Sequence, residues 1–209
     1  MLRNLLIALI LSLPYSLQAV TPITGLPEVE PEHMYAYVLR HNPDFDRRIA
    51  EAFYNVGQRY GIRGDIALCQ AIIETGWFRF DNGTAVQPES HNYCGLGVTR
   101  RGSPGCSFLS IEDGVTAMVQ HLFAYCCTSP LPEGESVLDP RFNFVNRGCA
   151  PTWEHLSGRW AMNPTYGSEI LRLFSDLRSL ADTMTADRAT IDIQETDYED
   201  EVDEYDIFK

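Results

Sequence analysis

Apolar residues recur at intervals of three and four along most of the chain, which is the spacing of one helix face. In residues 44–60, for example, this face is formed by Phe45, Ile49, Phe53 and Val56. The same pattern predicts helices over residues 32–40, 44–60, 66–74, 111–126, 152–159 and 166–184. Most of the chain is therefore expected to form a helical body.

The pattern changes between residues 77 and 110, where Gly, Asn, Pro, Ser and aromatic residues replace the helical spacing. Residues 93–98 and 107–109 have the character of short strands, and residues 102–105 are typical of a turn between them. The expected fold class is therefore α+β, with a mainly helical body and a small β-hairpin lobe.

The N-terminal end differs from this body. Arg3 precedes an apolar run that is too short to span a bilayer, and Ala19 offers a small residue for cleavage. Residues 1–19 therefore predict a signal peptide and a secreted or periplasmic protein without stable membrane insertion after cleavage; an uncleaved membrane anchor is the alternative. Residues 20–31 form a Pro-rich lead-in, and residues 32–186 form the expected domain.

Acidic residues are concentrated at the C-terminal end. Residues 187–209 contain ten Asp or Glu residues against two cations, which is −8 of the net charge of −13. This segment lacks a sufficient apolar stripe, so we expect a disordered acidic tail. Residues 20–186 have 13 basic and 19 acidic residues, and their net charge of −6 would repel phosphate backbones. Nucleic acid is therefore not expected as a partner, and we expect a monomer.

The chain has six cysteines, an even number that favours disulfides in an exported protein. Cys94 and Cys106 flank the Gly-rich turn at the spacing of two hairpin arms, so we expect a disulfide between them. The other pairings remain open from sequence alone. Zinc is the competing interpretation, but the chain lacks the usual C-x-x-C and H-x-x-x-H spacings. We therefore expect no metal and no cofactor.

Glu74 is the only charged residue between Asp65 and Arg79. Burial and the negative end of the helix dipole both disfavour its ionised form, so the sequence predicts a raised pKa. A carboxyl group that keeps its proton near neutral pH can protonate the departing oxygen of a glycosidic bond. The alternative is a structural Glu74 in an ion pair with Arg79 or Arg159.

Aromatic residues are numerous in the same part of the sequence and farther towards the C-terminus. They are Trp77, Phe78, Phe80, Tyr93, Trp153, Trp160 and Tyr166. Sugar rings stack on such side chains, so this excess predicts a saccharide groove. Trp153 is favoured as a core residue, whereas Trp77 and Tyr93 fall in the loop-rich segment, where ligand contacts are common.

Several ordered blocks carry a family resemblance over about residues 40–182. They include Ala71-Ile72-Ile73-Glu74-Thr75-Gly76-Trp77, Asn92-Tyr93-Cys94-Gly95-Leu96-Gly97, Asp139-Pro140-Arg141-Phe142, Gly158-Arg159-Trp160-Ala161 and Thr165-Tyr166-Gly167. Together these blocks resemble the N-acetylglucosaminidase family of peptidoglycan hydrolases, glycoside hydrolase family 73.

The resemblance implies a lysozyme-like fold with a groove between the helical body and the β-lobe. It also implies cleavage of the β-1,4 bond that follows N-acetylglucosamine in the glycan strands of peptidoglycan. Glu74 aligns with the catalytic acid, and Tyr166 aligns with a tyrosine that would orient the sugar or its acetamido group. The residues expected to bind substrate are Trp77, Asn92, Tyr93, Gly95 and Trp160.

A second carboxylate often lies on the β-lobe in this family, but the sequence between Val98 and Phe108 contains no acidic residue. Asp81 or Glu89 could take that role from the preceding loop. Alternatively, the acetamido oxygen of the substrate attacks the anomeric carbon, which is a known exception to the carboxylate pair. Acetamido participation is the favoured interpretation.

Two other functions remain open at this point. A lytic transglycosylase also uses one Glu on a lysozyme-like helix, but it leaves an anhydro-muramic end. A non-catalytic module that binds cell-wall glycan would retain the groove without the reaction. In each case the carboxylates of muramyl residues are expected to meet one of Arg79, Arg100 and Arg101.

Overall fold

The computed structural model of the protein describes residues 20–81, 86–100 and 103–205, and the side chains as far as residue 190. The signal peptide predicted for residues 1–19 lies outside these ranges. Within them the chain forms five α-helices: α1 (Pro31–Leu39), α2 (Arg47–Tyr60), α3 (Gly64–Thr75), α4 (Ile111–Cys126) and α5 (Tyr166–Tyr205). Three short 3-10 helices are Pro88–Ser90, Phe142–Phe144 and Glu154–Leu156.

Helix α3 lies at the centre of the helical body. Helix α2 packs against α3 and α4, while α5 packs against α3 and α1. Every residue of α3 except Ile73 and Glu74 is buried, so this helix is enclosed along most of its surface. The opening in this enclosure lies at its C-terminal turn, where Glu74 is found.

Helices α2 and α3 approach each other closely at a glycine. A Cβ atom on Gly64 would lie 1.9 Å from the backbone oxygen of Phe53, well inside van der Waals contact. Gly64 is therefore required because any side chain would push the two helices apart. This contact helps to fix the position of α3 within the body.

Replacing Gly64 with Ala is expected to lower the free energy of unfolding by about 3 kcal/mol, because backbone atoms must move to admit the methyl group. Urea unfolding followed by circular dichroism measures the loss. Gly61→Ala is the matched control, because this residue has a φ of 62° but open space around it. Gly61→Ala should lower the free energy of unfolding by only about 1 kcal/mol. An equal or smaller loss for Gly64→Ala would contradict the close-packing argument.

The predicted β-hairpin lobe is absent from the described residues, in which only isolated bridges occur and no strand ladder forms. Residues 93–98 and 107–109 are irregular. Each has a single backbone hydrogen bond to a residue outside the other segment: the amide of Cys106 donates to the carbonyl of Leu96, and the amide of Phe108 donates to the carbonyl of Ser90. The prediction of an α+β hairpin was therefore wrong for this segment, and the structure is mainly helical.

The helix predicted for residues 152–159 is much shorter than expected. The chain makes one 3-10 turn, Glu154–Leu156, with hydrogen bonds from His155 to Thr152 and from Leu156 to Trp153. Gly158 then adopts a φ of 76°, which leaves the helical region.

The C-terminal segment was predicted to be disordered from residue 187, but α5 continues to Tyr205. The sequence after Gly167 contains neither Gly nor Pro, so no residue of this segment forces the helix to end. The apolar stripe of α5 that packs on the helical body is nevertheless confined to the first part of this helix. It consists of Ile170, Leu173, Phe174, Leu177 and Leu180.

All six cysteines are free thiols in the structure, so the expected disulfide between Cys94 and Cys106 is not formed. The side chain of Cys106 is directed at the backbone of Gly97, where a Cβ atom would lie 2.5 Å from its sulfur. Cys94 is buried, and its amide is bound to the side chain of Asn92. Side-chain hydrogen bonding holds this loop instead of a covalent link.

None of the helices in the described residues is long and apolar enough to cross a membrane. Over the same residues, no three His, Cys, Asp or Glu side chains come together in a group suited to holding a metal ion.

Candidate active site

Glu74 lies in the last turn of α3, immediately before an unusual reversal of the backbone. Gly76, Trp77 and Phe78 adopt successive left-handed φ values of 60°, 63° and 57°. Such a conformation is costly for residues other than glycine and persists only where the surroundings enforce it. The hydroxyl of Thr75 accepts a hydrogen bond from the amide of Phe78 at 2.9 Å, and the side-chain amide of Asn42 donates to the carbonyl of Trp77 at 3.0 Å.

Trp77 was predicted to bind the sugar, but its ring has protein partners. The imidazole of His41 stacks on the indole, with ring centroids 3.6 Å apart, and the ring of Tyr37 lies 5.5 Å away. One face of the indole is therefore occupied by His41. These contacts support the left-handed turn that follows Glu74.

Two donors bind the same oxygen of Glu74. The hydroxyl of Tyr166 and the indole Nε1 of Trp160 both donate to Oε1, the latter at 3.0 Å. The side-chain amide of Gln70, one turn before Glu74 on α3, donates to the hydroxyl oxygen of Tyr166 at 2.9 Å. Gln70 therefore orients Tyr166 so that its proton points at the carboxyl group.

The alternative of an ion pair at Glu74 was wrong. The guanidinium of Arg79 lies 3.6 Å from Asp81, and that of Arg159 donates to the backbone oxygen of His155 at 3.1 Å. Neither arginine binds Glu74, so the carboxyl group has neutral donors as its partners.

Burial raises the pKa of Glu74 above its usual value, and the hydrogen bonds from Tyr166 and Trp160 lower it by a smaller amount. The net direction is upward, as the apolar sequence around Glu74 predicted. Burial and the charge of Glu74 raise the pKa of Tyr166 well above its usual value, so this hydroxyl remains a donor.

The two oxygens of Glu74 have different environments. Oε1 accepts both hydrogen bonds, whereas no donor in the described part of the chain binds Oε2. The side chain as a whole remains partly exposed. Because the lone pairs of Oε1 are occupied by the two donors, the proton of the acid form belongs on Oε2.

Trp160 is held against α4 by an aromatic group. Its ring centroid lies 4.9 Å from that of His121 and 5.5 Å from that of Tyr125. The Nδ1 atom of His121 lies 2.7 Å from a carboxylate oxygen of Asp139, which is 1% exposed and also accepts from the amide of Arg141. Trp160 was expected to bind sugar; its observed contact is with the candidate catalytic carboxyl group.

Asn92 and Tyr93 were predicted to bind substrate, but both are buried. The side chain of Asn92 donates to the carbonyls of Leu96 and Cys106 and accepts from the amides of Cys94 and Leu96. Its polar atoms are thus fully used within the loop, and the prediction was wrong for this residue. The ring of Tyr93 packs into the aromatic core formed by Phe53, Phe78 and Phe80.

This loop nevertheless lies beside the candidate site. Burial raises the pKa of the Cys94 thiol, and the nearby charges of Glu74 and Asp139 raise it further. Gly95, predicted to contact substrate, is part of this loop and adopts a φ of 67°; a Cβ atom there would approach only Val98, at 4.0 Å. The loop therefore lies near Glu74, and its direct contact with substrate stays a prediction at Gly95.

The two candidates for a second carboxylate differ in position. Asp81 lies near the end of α3, where its Oδ1 atom would be 3.4 Å from a Cβ atom on Gly76, and it also pairs with Arg79. Glu89 is exposed on the 3-10 helix Pro88–Ser90 and faces a different pocket. Asp81 thus lies beside the helix end that carries Glu74.

Sequence reasoning missed Gln70 and the pair formed by His121 and Asp139. A signal for Gln70 was available, because a glutamine four residues before Glu74 shares its helix face. His121 is likewise a polar residue in the apolar part of α4. Asp139 is 18 residues from His121 in the sequence, and no local pattern connects the two.

Comparison with known proteins yields three matches. The profile of the family described as mannosyl-glycoprotein endo-beta-N-acetylglucosaminidase matches residues 50–179. An uncharacterized protein of Borreliella burgdorferi is 34% identical over 150 residues, covering 70% of this chain and 72% of the relative. Among solved structures, the catalytic domain of the autolysin Auto from Listeria monocytogenes aligns with a TM-score of 0.41 and 17% identity, covering 73% of this chain and 88% of that one.

Proposed function

The chain belongs to the mannosyl-glycoprotein endo-beta-N-acetylglucosaminidase family, as its motifs predicted, and on this basis we propose that it is a peptidoglycan hydrolase. The bond cleaved is the β-1,4 linkage that follows N-acetylglucosamine, and Glu74 is the general acid. One observation carries this proposal: the carboxyl group of Glu74 is held through Oε1 by two neutral donors, while Oε2 has no donor bound in the described chain.

The first step requires a proton at the glycosidic oxygen. The raised pKa keeps Glu74 protonated to a higher pH than an exposed Glu, and the proton on Oε2 passes to the leaving oxygen as the C1–O bond breaks. The carboxylate that remains is stabilised by Tyr166 and Trp160, which already point at Oε1. These donors need no reorientation when the negative charge appears.

We further propose that the acetamido oxygen of the substrate acts as the nucleophile. It forms a bond to C1 while the glycosidic bond breaks, which gives a cyclic oxazolinium intermediate and a free hydroxyl on the departing sugar. Water then adds to C1, the carboxylate of Glu74 accepts the proton of that water, and the ring opens to restore the acetamido group. Two displacements at C1 leave the product with the configuration of the substrate.

This substrate lies outside the plasma membrane, so the proposed function agrees with the export predicted from residues 1–19.

Digestion of purified sacculi followed by mass spectrometry of the new sugar ends tests the function. A reducing N-acetylglucosamine end supports the proposal. An anhydro-muramic end would identify a lytic transglycosylase, and binding to sacculi without any new ends would identify a glycan-binding module.

Removing either candidate second carboxylate is expected to change kcat/KM by less than about threefold, because the substrate supplies the nucleophile. The variants are Asp81→Asn and Glu89→Gln, assayed on a chitin oligosaccharide with product configuration followed by NMR. Asp44→Asn, at an exposed acid with no assigned role, is the matched control. A 100-fold or greater loss of kcat/KM in one of these two variants would show that its carboxylate takes part in the reaction. That result would contradict acetamido participation.

A further inference from the structure

A pocket of about 330 Å³ lies next to the aromatic group that holds Trp160. Its lining includes His121, Tyr125, Arg141, Phe144, Asn146 and Arg159. Side chains of α4, of the 3-10 helix Phe142–Phe144 and of the segment before Trp160 thus meet around one cavity. Four of these residues have no role in the proposed reaction: Arg141, Phe144, Asn146 and Arg159.

Trp160 connects the pocket lining to the candidate catalytic carboxyl group. The rings of His121 and Tyr125 line the pocket and also contact Trp160, at centroid distances of 4.9 and 5.5 Å. The indole Nε1 of Trp160 donates a hydrogen bond to Glu74. The hydroxyl of Tyr125 donates to the backbone oxygen of Arg159 at 3.2 Å, which ties α4 to the segment carrying Trp160.

The pocket carries positive charge in a chain whose net charge is −13. Arg141 and Arg159 are exposed, and neither has a carboxylate at salt-bridge distance in the described part of the chain. The guanidinium of Arg141 lies 5.9 Å from the centroid of the Phe144 ring, and that of Arg159 donates to the backbone oxygen of His155. The neighbouring carboxylate, Asp139, is buried and already bound to His121 and to the amide of Arg141.

The other lining groups suit a sugar residue. Phe144 is 80% exposed, so its ring offers an apolar face to solvent, and Asn146 adds a side-chain amide at the rim. Guanidinium groups bind carboxylates through two parallel N–H bonds, which makes them well suited to an anionic substituent. An exposed aromatic face next to two unpaired guanidinium groups matches a sugar that bears a carboxylate.

We propose that this pocket binds a carboxylate-bearing sugar residue of the glycan strand, next to the N-acetylglucosamine whose bond is cleaved at Glu74. The inference rests on the proposed function and assigns Arg141 and Arg159 as the residues that recognise the anion. The sequence analysis named other arginines for this role: Arg79 is paired with Asp81, Arg100 does not line this pocket, and Arg101 lies outside the described residues. The carboxylate belongs either to the lactyl ether of the sugar or to a peptide attached to it.

The test compares three substrates: intact sacculi, sacculi from which an amidase has removed the peptides, and a neutral chitin oligosaccharide. In the double variant Arg141→Gln/Arg159→Gln, the ratio of kcat/KM on the anionic substrate to kcat/KM on the neutral one is expected to fall 10- to 100-fold. If the ratio falls on the peptide-free glycan, the lactyl carboxylate is the ligand of the pocket. If the ratio falls only on intact sacculi, the ligand is a carboxylate of the attached peptide.

The matched control is Arg47→Gln/Arg172→Gln, which removes the same charge from two exposed helix pairs that do not line the pocket. Its ratio should stay within about threefold of wild type. An unchanged ratio on both anionic substrates in the pocket variant, or an equal fall in the control, would overturn the proposal. These outcomes leave the proposed hydrolysis intact, whereas a wild-type protein that releases no sugar ends from any substrate would refute the hydrolase itself.

Discussion

Replacing Glu74 with Gln is expected to lower kcat/KM for sacculus digestion by about 10³-fold, because Gln has no acidic proton to give to the leaving oxygen. The amide oxygen of Gln can still accept from Tyr166 and Trp160, so the site should keep its shape. Release of new reducing ends gives the rate, and co-sedimentation with sacculi gives the binding. Glu51→Gln, at an exposed acid on α2, controls for the loss of one charge.

The same variant should be at least as stable as the wild type at neutral pH. The folded-state pKa of Glu74 is raised above its unfolded value, so the wild type loses stability as the pH rises through the folded pKa. Gln has no charge to bury and does not incur this loss. The advantage should disappear below the unfolded pKa, near pH 4. Thermal unfolding of the variant and the wild type at pH 4 and pH 8 measures the difference in stability at each pH.

Two outcomes would contradict this account of Glu74. Activity of Glu74→Gln within tenfold of wild type would show that another group supplies the proton. Lower stability than wild type at pH 8, together with lost binding, would show that Glu74 has a structural role, as the rejected ion-pair interpretation held.

The position of Glu74 could be predicted from sequence because its signal is local. A single carboxyl group in an apolar helix requires an explanation, whatever surrounds it in space. Its two hydrogen-bond donors could not be predicted in this way, because Trp160 and Tyr166 lie 86 and 92 residues away. Trp153 was correctly favoured as a core residue, but the sequence did not identify Trp160 and Tyr166 as the pair that contacts the carboxyl group.

The predicted hairpin failed for a related reason. Gly, aromatic and β-branched residues between residues 93 and 109 resemble strands and a turn when they are considered alone. In the structure, the buried side chain of Asn92 supplies hydrogen bonds that a partner strand would otherwise provide. A side chain that satisfies several backbone groups is not visible in hydrophobic periodicity. The helical segments lack such competition, and four of their predicted positions agree closely with α1, α2, α3 and α4.

Removing the hydroxyl of Tyr166 should separate the positioning of Glu74 from its acidity. In Tyr166→Phe, kcat/KM at the optimum is expected to fall by 10- to 100-fold, because one of the two donors that fix Oε1 is lost. That hydrogen bond also lowers the pKa of Glu74, so its removal raises the pKa. Because Glu74 acts in its protonated form, the alkaline limb of the pH–rate profile should move to higher pH.

This shift distinguishes Tyr166 from a residue that only maintains the fold, whose loss would lower the rate without moving the limb. Tyr54→Phe is the matched control, because its hydroxyl binds Glu30 at an exposed position and should leave both the rate and the limb unchanged. A limb that stays in place or moves to lower pH in Tyr166→Phe would show that the hydroxyl does not stabilise the ionised carboxyl group. The separate variant Trp160→Phe removes the other donor to Oε1. The alkaline limb of its pH–rate profile should also move to higher pH, by a smaller amount than in Tyr166→Phe.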